Sequence, residues 1–303
     1  MLKLVLPEPF FSLWKEAIQK IDPNIPLALN DDEATDQLVT FAVAWKQKPN
    51  ELARFPNIQV VSAPGAGVDY LLEDTALLPQ VKIVRIVDSS LSDALAEYAL
   101  LAIANRRREW LKMLANQQAK IWQRDFYPPV ANSKVGVLGL GPIGQVIAQK
   151  LHVVGYQVKA WNRSYKILPD IPTFAGHSAL PQFLSELDFL VCILPQNDET
   201  KNILNKELFN LLPNTAYLIN IGRGGLLNEQ DLLQALANNQ LDGACLDVFA
   251  TEPLPPTHPF WTHPKILVTP HIGSMAWPEL MAPHVIENYH RFQKGEPLLN
   301  QVR

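Results

Sequence analysis

Val135-Gly136-Val137-Leu138-Gly139-Leu140-Gly141-Pro142-Ile143-Gly144 reads as a buried strand that runs into a glycine-rich turn and then opens a helix. The strand residues are small or apolar, and the glycines fall in the spacing G-x-G-x-x-G. In that setting the glycines let the backbone turn tightly and approach a pyrophosphate. The helix N-terminus adds free N–H groups and the positive end of a dipole. Pro142 suits the first helical turn, where its missing N–H has no partner to lose. The stretch predicts a dinucleotide site with Gly139, Gly141, Pro142, Ile143 and Gly144 around the pyrophosphate.

Working outward, short apolar runs alternate with amphipathic stretches. Residues 158–161, 189–194, 216–220, 243–247 and 266–269 read as strands. Helices are expected from Pro142 to about Val153 and over 180–186, 206–211 and 229–237. Continuously apolar strands separated by helices predict a parallel sheet covered on both faces. Upstream, Met1–Glu8 is interrupted too soon for a secretory signal and reads as a first strand. Residues 60–62 and 82–87 read as further strands. A turn and a short helix lie between Pro64 and Pro79, and a long helix starts near Asp93. The last helix, 277–292, is expected to return to the first half. The fold class is therefore α/β: two Rossmann-like domains with doubly wound parallel sheets and a cleft between them. The expected division is 1–94 plus 275–303 for a substrate-binding domain and 95–274 for a dinucleotide-binding domain.

Composition agrees with a two-domain globular chain. Its 303 residues are 48% hydrophobic and 18% charged, with a net charge of −4. There is apolar material for real cores. No basic stripe invites nucleic acid, and no apolar run is long enough for a membrane span. Cys192 and Cys245 sit in apolar runs and read as buried hydrophobes; no metal site is expected. Arg106-Arg107-Arg108 reads as a solvated or dimer-facing charge run, and the six histidines other than His271 as surface or packing residues.

Trp161-Asn162-Arg163-Ser164 ends the second strand of the dinucleotide unit. An NAD site tends to place an acid here for the ribose 2′-hydroxyl. None is present. Arg163 would attract a 2′-phosphate, with Asn162 and Ser164 as hydrogen-bond donors. NADP(H) is the preferred cofactor, with NAD(H) as the alternative.

Three polar residues follow predicted strand ends, where open α/β sheets bind ligands. They are Arg223 in 220–225, Glu252 in 246–254 and His271 in 269–274. Reducing a 2-oxo acid needs an anion anchor, a proton donor and a hydride donor. Arginine can grip a carboxylate and polarise the neighbouring carbonyl. Histidine can give a proton to the nascent alkoxide. A carboxylate behind it orients the ring and favours its protonated form.

On these stretches, together with SAPGAGVD at 62–69, WNRS at 161–164, YLINIGRGG at 217–225, GACLDVFATEPL at 243–254 and TPHI at 269–272, the chain resembles the D-2-hydroxyacid dehydrogenases. Within them it is similar to the glyoxylate/hydroxypyruvate reductase A branch. The resemblance implies that Arg223, Glu252 and His271 are catalytic and that the substrate is a small 2-oxo acid. It also implies a homodimer, a cleft that closes, and substrate contacts from Ala66, Gly67, Val68 and Trp45 beside Arg223 and His271. Asp247 is expected on the nicotinamide side, with a structural cap as the alternative. Further cofactor contacts are expected at Leu194, Pro195, Ile221 and Gly273. A cytoplasmic enzyme without nucleic-acid or membrane partners follows. Rival readings are a corepressor-like dinucleotide sensor of the same fold, or another donor such as formate, against which Glu252 speaks.

Overall fold

The computed structural model describes residues 1–303. In chain order the first elements are β1 (Leu2–Val5), α1 (Phe10–Ile21), α2 (Glu33–Asp36), β2 (Phe41–Ala44), β3 (Val60–Ser62), α3 (Asp69–Leu72) and β4 (Lys82–Val84). Then come α4 (Ser89–Arg107), α5 (Trp110–Ala119), β5 (Lys134–Leu138), α6 (Pro142–Val154), β6 (Gln157–Asn162), β7 (Thr173–Ala175) and α7 (Leu180–Leu184). The chain continues through β8 (Phe189–Cys192), α8 (Lys206–Phe209), β9 (Tyr217–Asn220), α9 (Glu229–Ala237), β10 (Gly243–Leu246), β11 (Ile266–Val268) and α10 (Pro278–Lys294). Two compact units result, 1–91 with 275–303, and 92–274. The boundary falls inside α4, between Leu91 and Ser92.

The unit 92–274 holds a seven-stranded sheet in the order β11-β10-β9-β8-β5-β6-β7, parallel throughout. Counted from β5, the order is 3-2-1-4-5-6 with one strand added, the doubly wound arrangement of dinucleotide-binding sheets. The direction of winding reverses between β5 and β8, so the switch point lies at Gly139 and Ile193. Successive strand residues face opposite sides. Leu138, Leu190, Cys192, Leu218 and Leu246 join a core with Phe183, Phe209 and Phe260. Val135, Val137, Val191, Ile219 and Cys245 join another with Ile103, Ile147 and Leu151. Burial on both faces explains why β8 and β10 are apolar or small along their whole length.

The unit made of 1–91 and 275–303 holds a parallel sheet in the order β1-β2-β3-β4. A parallel bridge from Leu2 to Leu27 extends it beyond β1. Trp14, Ile18, Met281, Val285 and Tyr289 of α1 and α10 cover one face; Leu52, Phe55 and Leu71 lie on the other. β4 is shorter than the expected 82–87. Past Val84 the backbone bonds elsewhere: Arg85 N–H to Asn300 and Ile86 N–H to Gly65. The tail caps that sheet edge, with Val302 N–H donating to Ile83 at 2.8 Å and Gln301 bridging Val84 antiparallel. A covered edge cannot template pairing with another chain.

α4 starts at Ser89, ahead of the expected Asp93, because Asp88 caps it: its Oδ1 accepts from Ser90 N–H at 2.8 Å. The arginine run at its other end is engaged within its own unit. Arg106 Nε donates to Asp242 at 2.7 Å. Arg107 donates to the Ser133 hydroxyl and the Pro128 carbonyl, and Arg108 lies 4.0 Å over the Tyr127 ring. Arg106 and Arg107 are half-buried and held by acceptors that sequence spacing does not reveal, while Arg108 stays exposed. No helix is long and apolar enough to cross a membrane.

Candidate active site

The glycine turn sits at the switch point of the larger sheet. Gly139 has φ +116°, and its N–H donates to Trp161 O at 2.9 Å. A Cβ on Gly144 would stand 1.8 Å from Gly139 O, so the helix can approach the turn only without one. Around Gly141 there is open space within 4 Å. No side chain caps the start of α6. The site therefore offers an anion unpaired helical N–H groups and room beside Gly141. These residues fit a pyrophosphate.

At the end of β6, Asn162 ties the turn to the following loop. Its Oδ1 accepts from Leu140 N–H at 3.3 Å, and its Nδ2 donates to Ser164 O at 3.0 Å. Arg163 is exposed and paired with Glu199 (Nη1 to Oε2, 2.5 Å). Lys166 Nζ donates to Leu140 O at 2.7 Å, bringing an ammonium to the glycine turn. Sequence reasoning passed over Lys166 because the segment after Ser164 carries no periodicity. The only signal was a cation four residues beyond the strand end.

Arg223 and His271 follow β9 and β11, and Glu252 follows β10, all in the same unit. Asn220, fully buried, shapes the arginine turn: its side chain donates to Arg223 O and accepts from Gly222 N–H. A Cβ on Gly224 would stand 1.9 Å from the Phe249 carbonyl carbon, which makes that position glycine. Arg223 Nη1 donates to Gly222 O at 2.7 Å. Glu252 divides its oxygens. Oε1 accepts from Phe249 N–H at 3.0 Å, and Oε2 lies 2.8 Å from His271 Nδ1. With Nδ1 engaged by the carboxylate, Nε2 is the ring atom left to face a reactant.

His271 has φ +55°, a backbone region costly for a residue with a Cβ. Asp247, 2% exposed, holds it there. Its carbonyl accepts from His271 N–H at 2.9 Å. Its carboxylate accepts from Ile272 N–H, Gly273 N–H and the Thr269 hydroxyl. Since Thr269 spends its proton on Asp247, Tyr98 must donate to Thr269, which it contacts. Burial pushes the Tyr98 hydroxyl up and the neighbouring Cys245 thiol up to about 11, so both stay protonated. The carboxylate of Asp247 thus clamps the histidine loop. Leu194 and Ile221 are buried just past β8 and β9, and Pro195 accepts from Thr200 Oγ1.

The remaining expected site residues lie in the other unit. Ala66 and Gly67 form the loop between β3 and α3, and Val68 accepts from Leu71 and Leu72 N–H as α3 begins. Trp45 follows β2. It is only half-buried, edge-on to Phe10 at 5.0 Å with Lys46 Nζ 4.5 Å over its ring, and it lines an open cleft of about 460 Å³ with Tyr70. It is not a core tryptophan.

Residues 99–273 match the family model described as D-isomer specific 2-hydroxyacid dehydrogenase, NAD binding domain. A glyoxylate/hydroxypyruvate reductase A of Serratia proteamaculans is 35% identical over 97% of this chain and 96% of its own. The NADPH-dependent glyoxylate/hydroxypyruvate reductase of Sinorhizobium meliloti, solved with NADP and sulfate, has a TM-score of 0.91 at 32% identity, covering 99% and 97% of the two chains. A D-isomer specific 2-hydroxyacid dehydrogenase of Xanthobacter autotrophicus Py2, solved with NADPH and MES, has a TM-score of 0.90 at 35% identity, covering 100% and 97%.

Proposed function

The chain belongs to the D-isomer specific 2-hydroxyacid dehydrogenase family, and on that premise we propose that it uses NADPH to reduce glyoxylate and hydroxypyruvate to glycolate and D-glycerate. The observation that carries the reading is the 2.8 Å contact between Glu252 and His271 Nδ1, in the unit that also bears Arg223 and the glycine turn. Arg223 grips the substrate carboxylate and polarises the carbonyl beside it. His271 Nε2 gives its proton to the carbonyl oxygen, which becomes the hydroxyl, and Glu252 keeps the ring in that orientation. The N–H groups of residues 66–68, an anion cradle, and Trp45 are the substrate contacts of the unit 1–91 with 275–303. Gly139, Gly141, Ile143 and Gly144 hold the pyrophosphate; Arg163, with Asn162 and Ser164, receives the 2′-phosphate. NADPH, when bound, supplies the hydride.

In this reading the unit 1–91 with 275–303 binds substrate and the unit 92–274 binds the dinucleotide. The active form is a cytoplasmic homodimer. Trp110, Leu111, Trp122 and Phe126 support the dimer, since all are exposed along one stretch and large apolar patches mark interaction surfaces. The reductases of Serratia and Sinorhizobium support the substrate assignment.

The test is a panel of 2-oxo acids assayed with NADPH and NADH side by side, following loss of the reduced nicotinamide absorbance. Turnover of glyoxylate and hydroxypyruvate with NADPH is expected. Binding of NADPH without turnover of any 2-oxo acid would overturn the enzyme reading in favour of a sensor.

A further inference from the structure

We infer that Glu199 is a cofactor-specificity residue, a built-in competitor that occupies the Arg163 guanidinium and is displaced by the 2′-phosphate of NADPH. The inference rests on the NADPH reading above and deepens it.

Glu199 lies 36 residues from Arg163 in the chain, yet their side chains meet at 2.5 Å, and they are 62% and 75% exposed. The backbone at Glu199 is held in place while its side chain is exposed. Its loop follows β8 at the switch point and is pinned from within. Asn197 Oδ1 accepts from both Glu199 and Thr200 N–H, and Thr200 Oγ1 donates to Pro195 O at 2.7 Å. The end of β6 itself carries no acid, so Glu199 supplies the only carboxylate paired with Arg163.

Two consequences follow. A 2′-phosphate must take Arg163 from Glu199 and then sit beside a like charge, which weakens its binding. An unphosphorylated ribose meets no such competition. An exposed ion pair shifts an equilibrium by about a factor of five or less, so the phosphate still wins, but by a smaller margin than Arg163 alone would give. Glu199 thereby moderates the preference for NADPH.

The experiment is calorimetric titration of the full-length protein with 2′,5′-ADP and 5′-AMP, which read the adenosine end without turnover. Wild type, Glu199→Gln, Arg163→Ala and the double variant are compared at low and high salt. Glu199→Gln should bind 2′,5′-ADP about two- to fivefold tighter and 5′-AMP unchanged. The gain should shrink in the Arg163→Ala background and at high salt, where exposed charges are screened. Unchanged 2′,5′-ADP affinity in Glu199→Gln, with Arg163→Ala still weakening it, overturns this inference and leaves the NADPH reading standing. Equal affinity of the wild type for both nucleotides overturns the NADPH reading and this inference with it.

Discussion

Asp247 holds His271 by the backbone: the Asp247 carbonyl accepts from His271 N–H at 2.9 Å, and its carboxylate takes the next two N–H groups of the same loop. Positive φ at a residue with a Cβ costs roughly 1–3 kcal/mol. Three hydrogen bonds to one buried acid offset that. The two carboxylates around the histidine therefore divide the work. Asp247 fixes where the residue sits, and Glu252 fixes which way its ring points. The second task was legible in the sequence as a carboxylate behind a histidine. The first was not, because it depends on β10 and β11 ending side by side.

Replacing Asp247 by asparagine leaves one acceptor oxygen where two are used. At least one backbone N–H then loses its partner or faces an amide N–H. The expected cost is about 1.5–3 kcal/mol, the range for a hydrogen bond to a charged group, together with reduced turnover. Denaturant unfolding and steady-state kinetics measure the two. Wild-type stability in Asp247→Asn would show that the clamp is idle.

His271→Asn separates position from chemistry. Asparagine tolerates positive φ better than most residues, so the loop should keep its form and the melting curve should hardly move. Loss of the proton donor should lower kcat by about 10²–10⁴. Turnover within a few-fold of wild type would remove His271 from the reaction.

Arg223→Ala should lower kcat/KM for glyoxylate by about 10²–10³, the usual effect of losing one donor to a developing charge, with the fold intact. Arg223→Lys should recover little, since an ammonium cannot reproduce a planar two-pronged contact. A fully active alanine variant contradicts the anchoring role.

The central strands of the larger sheet could be read from sequence because they are buried on both faces and mostly apolar; β7, a short half-buried edge strand, could not. Neither could helix α5. None of its residues is buried, so it shows no one-sided apolar face, and Trp110 and Leu111 point outward. The fates of Arg106 and Arg107 were hidden for another reason. Their partners, Asp242 and Ser133, are set by tertiary packing, and a cluster of like charges carries no sign of what will meet it. The Glu199 contact to Arg163 is invisible for the same reason.

Asp88 links stability to pH. It caps α4 through Ser90 and meets His284 at 3.0 Å. The Ser90 hydroxyl and N–H, and then His284, hold its carboxyl below the ordinary value of 3.8. A depressed folded pKa contributes stability that is present above that ordinary value and disappears as pH falls through the lower one. Asp88→Ala should therefore cost about 1 kcal/mol near neutral pH, as for other lost caps. The gap between variant and wild type should close below about 3.8. A gap that persists unchanged through that range would mean the contribution is not the ionised cap.

The remaining prediction concerns Arg163→Ala. The strand before it, β6, is the second of the dinucleotide unit, and its C-terminal end faces the adenosine ribose in sheets of this order. Asn162, where an acid would select NADH, instead ties Leu140 to Ser164. It neither repels a phosphate nor replaces the missing acceptor. Arg163 is then the main attraction. A hydrogen bond to a charged group is worth about 1.5–3 kcal/mol, but Arg163 is exposed and must first leave Glu199. Subtracting roughly 0.2–1 kcal/mol for an exposed pair leaves about 0.5–3 kcal/mol, or roughly two- to a hundredfold. Arg163→Ala should raise KM for NADPH by about that factor and hardly alter KM for NADH. Salt should reduce the wild-type preference and leave the variant's nearly flat, because the interaction removed is between exposed charges. Equal efficiency with both cofactors in the wild type, or an undiminished NADPH preference in Arg163→Ala, would place the selectivity elsewhere; Lys166, whose ammonium already lies on Leu140, is the residue to replace next.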